Sequence, residues 1–106
     1  GFPAAVLIRA IQPLEGIESM QVRRGDKPIP QLANGPAKLT QAMGIGLKEN
    51  GLDCCQADSL IYIEKCAKMP SSSIVATPRI GLGQTPEPWF SKPWRYLVKE
   101  NKFLSK

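Results

Sequence analysis

Histidine is absent from the 106 residues, and cysteine occurs only three times. Without histidine, a serine or cysteine nucleophile has no base of the usual kind, which excludes triad-type acyl transfer. Cys54, Cys55 and Cys66 match no metal-ligand spacing, so no metal is expected. An odd count with an adjacent pair is a poor disulfide framework and points to a reducing cytoplasm. No apolar run approaches the roughly 20 residues needed to cross a bilayer. The N-terminus lacks the basic residues and length of a signal peptide. Internal repeats and low-complexity segments are missing too. No Gly-Lys-Ser/Thr follows Gly81 and Gly83, so they do not form a phosphate loop, and no cofactor is indicated.

What is present is positive charge and one conspicuous apolar stretch. The formal net charge of +5 and the pI of about 9.3 favour a polyanionic partner. A protein with surplus solvated lysine is the plainer alternative. Ala4 to Ile11 is almost unbroken in its apolarity, as expected for a strand packed on both faces. Val6, Ile8 and Ala10 would then point one way, and Leu7, Arg9 and Ile11 the other. A guanidinium there needs an anion, carbonyls or water around it. Arg9 is either a buried structural ion pair or the floor of a pocket, holding a substrate oxygen or a water. The chain opens on Gly1 and not Met, just ahead of this strand, which suggests a piece cut from something longer.

Pro13 suits the first position of a helix, with Gln12 as cap and Glu15 and Glu18 near its positive end. Leu14, Ile17 and Met20 recur at helical spacing, and Arg23 and Arg24 close the last turn before Gly25. A second helix is expected from Ala37 to about Ile45, capped by Asn34 or Gly35, with Leu39, Ala42 and Met43 as its apolar stripe. Lys38 in its first turn, beside free backbone N–H groups, is either a phosphate clamp or a solvated lysine.

Further along, 26–31 reads as a loop and 53–59 as one short helical turn. Leu60–Lys65 reads as a strand. The segment from Ile74 to Gly83 reads as extended, with Pro78 confining it to an edge or bend. Trp94–Lys99 is the last strand, with Trp94, Tyr96 and Val98 on one face. Its interleaved basic residues would suit a nucleic-acid strand, although such alternation also describes a strand with one face in the core. The nine carboxylates include no convincing general base. Glu15 and Glu18 are better explained as capping residues; Asp26, Glu49, Asp53 and Glu87 lie in turns; Asp58, Glu64 and Glu100 lack an apolar site.

Four stretches together resemble the alkyladenine (3-methyladenine) DNA glycosylase family: VLIRAIQPLEGIESM, NGPAKLTQAMGI, TPRIGLG and KPWRYLV. They occur in the family's order, and the closing NKFLSK is similar to its usual end. The likeness covers nearly the whole chain but only the C-terminal half of the family's single domain. It implies an α+β fold, a mixed, mainly antiparallel, curved and open-barrel-like sheet with helices around it, of which residues 1–106 would be an incomplete part.

The resemblance also implies roles. Arg9 and the backbone carbonyl of Ile80 match positions that hold the attacking water, and Leu7 matches one lining the base pocket. Lys38, Gly35 and Arg24 match positions that contact the DNA backbone, and Gly81 would let the backbone come near it. After Gly46 the register departs from the family, with Leu47 at a position that is basic in some members and Lys48 one residue later. The implied chemistry is hydrolysis of the N-glycosidic bond of a flipped-out purine such as 3-methyladenine or hypoxanthine in double-stranded DNA. The family's general-base glutamate, its stacking tyrosines and histidine, and the tyrosine that fills the gap in the duplex all lie in the N-terminal half. That half would belong to the same or another chain, and the present one alone would be inactive. A non-catalytic DNA-binding remnant is the competing reading.

Overall fold

Two short helices are bounded by glycine and proline signals that act within one turn of the chain. The computed structural model describes residues 3–104, so Gly1 and the last two residues of the closing NKFLSK lie outside the described residues. Helix α1 spans Ile17–Arg24 and α2 spans Pro36–Met43. Helix α1 stops at Gly25, which takes the left-handed conformation at φ 80° and donates its N–H to the Gln21 carbonyl at 2.7 Å; only glycine enters that region without a steric penalty. Helix α2 starts after Gly35 with Pro36 in the first turn, where its missing N–H has no partner to lose. Single 3-10 turns occur at Ile29–Gln31, Leu47–Glu49 and Ser71–Ser73.

The described residues divide into two units. The first comprises those of Gly1–Glu64 and Lys102–Lys106, the second Lys65–Asn101. In the first, Met20, Leu32, Ala33, Leu39 and Ala42 are buried together, with Ile11 and Ile17 packed against them. The ends of the two helices also satisfy each other's orphan carbonyls. The Arg23 guanidinium donates to the Ala42 carbonyl at 2.8 Å, and the Gln41 amide donates to the Arg23 carbonyl at 3.1 Å. Arg24 donates through Nε to Leu32 O at 3.0 Å, through Nη2 to Gln31 O at 3.2 Å, and through Nη1 to Gln41 Oε1 at 3.1 Å. Gly44 makes room for this brace, since a Cβ there would come within 3.1 Å of Arg23 Nε.

In the second unit, β1 (Ile74–Thr77) pairs antiparallel with β2 (Arg95–Val98), Ile74 opposite Val98 and Thr77 opposite Arg95. The Lys99 N–H adds a bond to Ser73 O at 2.9 Å. Pro78, which has no N–H to give a ladder, ends β1. No residue of this unit is buried among those described. Helices and antiparallel strands together make the fold α+β.

Several expectations are corrected. Ala4–Ile11 is not a buried strand: Val6, Leu7 and Ile8 are exposed and Arg9 is half-buried. An apolar run of strand length supplies faces to bury, but a strand also needs neighbours for its N–H and C=O groups. Among the described residues, Ile11 is the one of this run that finds a backbone partner, donating to Ala33 O at 3.2 Å. Leu60–Lys65 fails likewise, with Leu60, Tyr62 and Ile63 exposed. Helix α1 begins four residues after Pro13, because Gly16 at φ 68° is left-handed and interrupts helical continuation from Pro13. Met43 is exposed and leaves the α2 stripe. The 53–59 segment is a run of turns, one of them closed by the Asp53 carboxylate accepting the Cys55 N–H at 2.9 Å.

Candidate nucleic-acid interface

The residues singled out from the sequence are distributed over both units. Leu7, Arg9, Arg24, Gly35 and Lys38 belong to the first, and Ile80 and Gly81 to the second. Arg9 sits on the exposed apolar run, half-buried, and hydrogen-bonds with none of the described residues. It is therefore not a buried ion pair. Leu7, on the same run, is 65 % exposed.

Lys38 is exposed in the first turn of α2. Its side chain runs past Gly35, whose Cβ position would lie 3.6 Å from Lys38 Cδ. The backbone at Gly35 is extended and has no side chain to cap the helix, and Asn34 does not cap it either. The N–H groups of Ala37 and Lys38 therefore remain unpaired within the helix, beside an ammonium. Asn34 Oδ1 is buried next to this turn without a partner. Arg24 is half-buried: two of its donors tie α1 to the chain around Leu32 and a third reaches Gln41 of α2, which leaves two of a guanidinium's five N–H groups.

Ile80 is half-buried, and Gly81 takes φ 71°, where a side chain would be strained. The same unit contains a cluster that the sequence reading missed. Trp89 and Trp94 lie with ring centroids 5.7 Å apart and planes inclined at 44°. The Lys92 ammonium sits 4.6 Å from one ring centroid and 4.7 Å from the other. The Arg79 guanidinium lies 5.3 Å from the Trp94 ring and donates to Trp89 O at 3.3 Å. All three distances are in the range of a cation–π attraction. The spacing Trp-x-x-Lys-x-Trp is the available signal, masked by Pro86, Pro88 and Pro93, which make this stretch a loop whose path the local sequence does not specify.

Among the described residues no helix is long and apolar enough to cross a membrane. The model of the methylpurine-DNA glycosylase family matches residues 1–102. A protein of Lactobacillus delbrueckii subsp. bulgaricus that carries the name of a 3-methyladenine DNA glycosylase is 46 % identical over 106 residues, covering 99 % of this chain and 50 % of its own length. Two others carry the same name. One from Francisella tularensis subsp. tularensis is 40 % identical over all of this chain and 53 % of its own, and one from Prosthecochloris aestuarii is 40 % identical over all of this chain and 48 % of its own. The chain thus spans about half the length of the curated relatives it matches.

Proposed function

Because the chain belongs to the methylpurine-DNA glycosylase family, we propose that it is the C-terminal part of a single-domain DNA repair hydrolase. The reaction is release of alkylated or deaminated purines, 3-methyladenine and hypoxanthine among them, from double-stranded DNA. The family match along residues 1–102 carries this reading. The purine is rotated out of the stack, and Leu7 lines the pocket that receives it. A water oxygen then bonds to the sugar C1′ as the C1′–N bond breaks and its electron pair leaves with the base. Arg9 donates to that water and the Ile80 carbonyl accepts a hydrogen bond from it. Lys38, Gly35, Arg24 and Gly81 meet the phosphate backbone, a role supported by the open N–H groups and exposed ammonium at the start of α2.

The carboxylate that takes one proton from the water, while the other stays on the new C1′ hydroxyl, comes from a segment outside this chain, in the same polypeptide or a partner. Two observations support that division. Among the described residues no carboxylate is buried, and the apolar runs around Leu7 and Ile63 are exposed. With that segment in place those runs become strands of a mixed, mainly antiparallel, open-barrel-like sheet. The lack of a base also favours one competitor, a remnant that binds DNA without acting on it.

Water as the nucleophile predicts a monofunctional enzyme. The expected products from a duplex bearing one 3-methyladenine are the free base and an intact strand with an abasic site, which breaks only after alkali. Strand scission without alkali, or a borohydride-trapped adduct, would mean that an amine attacks C1′ and would overturn the water assignment.

A further inference from the structure

We propose that the Trp89–Lys92–Trp94 cluster, with Arg79, is a second DNA-strand contact: phosphate on Lys92 and an unstacked base on the open indole surface. It extends the DNA-binding reading above and rests on it. Three observations lead to this. First, charge is concentrated here, since residues 65–101 hold six of the fourteen basic residues but only two of the nine acidic ones. This unit therefore carries +4 of the chain's net +5. Second, the Lys92 ammonium is held by ring faces and not by a carboxylate. Glu87, the nearest acid in sequence, accepts instead from Ser91 N at 3.2 Å and Ser91 Oγ at 2.6 Å. A cation fixed over two indoles keeps its full charge for an arriving phosphate. Third, Trp89 is 45 % and Trp94 47 % exposed, and Tyr96 on β2 is 70 % exposed. Large aromatic faces flanked by cations, without a core to cover, are the composition of a stacking platform that tolerates any base.

The chain has two tryptophans in all, so its intrinsic tryptophan emission reports this cluster alone. The experiment titrates the chain at low salt with a short fluorescein-labelled oligothymidylate, following label anisotropy for binding and tryptophan emission for the site. Emission is expected to change saturably along the same isotherm. Trp94→Ala should weaken binding roughly tenfold. Should that variant fail to fold, Lys92→Ala serves, lowering the dependence of log affinity on log salt by about one. Inorganic polyphosphate should compete without reproducing the emission change.

Binding by anisotropy with unmoved emission would overturn the inference and leave the DNA-binding reading standing. No binding at low salt would remove both. An identical emission change with polyphosphate would make the site a simple anion patch, without stacking. If adding the segment that supplies the rest of the relatives' length shields both tryptophans from acrylamide and abolishes the response, the cluster is an internal interface and the inference fails.

Discussion

Arg9→Ala, in the chain combined with the rest of the family's length, is expected to slow purine release by roughly 10²–10³-fold. Affinity for a duplex carrying the lesion should stay within about threefold, because one desolvated donor held for the reacting water contributes little to backbone binding. The structure makes this variant a clean one. Arg9 hydrogen-bonds with none of the described residues and lies outside the buried cluster of Met20, Leu32, Ala33, Leu39 and Ala42. Removing it therefore orphans no buried partner, and melting of the chain should not move. Arg9→Lys keeps the charge but not the planar fork, so its rate should fall between those of wild type and the alanine variant. Single-turnover release and filter-binding affinity, measured on the same variants, separate the two effects. Equal loss of both would assign Arg9 to binding and remove it from water positioning.

Leu32→Ala is expected to unfold the helical unit. Leu32 is fully buried, and among the described residues its core cluster is small, made with Met20, Ala33, Leu39 and Ala42. A leucine truncated to alanine at such a site costs about 3 kcal/mol, from lost transfer energy and the cavity left behind. That is a large share of the stability of a small domain. The same change at Leu47, which is 96 % exposed, should stay within about 0.5 kcal/mol. Thermal melts followed by far-ultraviolet circular dichroism distinguish them: the Leu32 variant should lose its cooperative helical transition, and the Leu47 variant should keep it. A Leu32 variant that melts like wild type would mean that the Arg23–Ala42, Gln41–Arg23 and Arg24 hydrogen bonds, and not the apolar cluster, hold α1 to α2.

The contrast between these sites shows what could be read from the sequence. The end of α1 and both ends of α2 were legible, because Arg23-Arg24-Gly25, Gly35-Pro36 and Gly44 act within one turn of the chain. Strand β2 was legible because alternation from Arg95 to Val98 coincides with a partner, β1, in the same unit. The run from Ala4 to Ile11 is apolar over a strand's length and has no ladder, since apolarity describes what a strand could bury and says nothing of who supplies the hydrogen bonds. The start of α1 was misread because Pro13 and Gly16 give opposite instructions, and a left-handed glycine outweighs a favourable proline. At the candidate interface, Lys38 was found from its place in the first turn of a helix. The brace made by Arg24 was not, because its acceptors are carbonyls eight and seven residues away and a glutamine seventeen away. The indole–ammonium cluster escaped for a similar reason: Arg79 and Trp89 are joined through a loop whose path the local sequence does not specify.

The division of the active site is tested most directly by release of 3-methyladenine from a methylated duplex, comparing the chain alone with the chain plus the segment that completes the family's length. Free base should accumulate only in the second case, and Arg9→Ala should suppress it there. Release by the chain alone would place the general base among these 106 residues and contradict the division. No release from the combination, once the two parts are shown to be folded and bound to each other, would leave a DNA-binding remnant in place of a hydrolase.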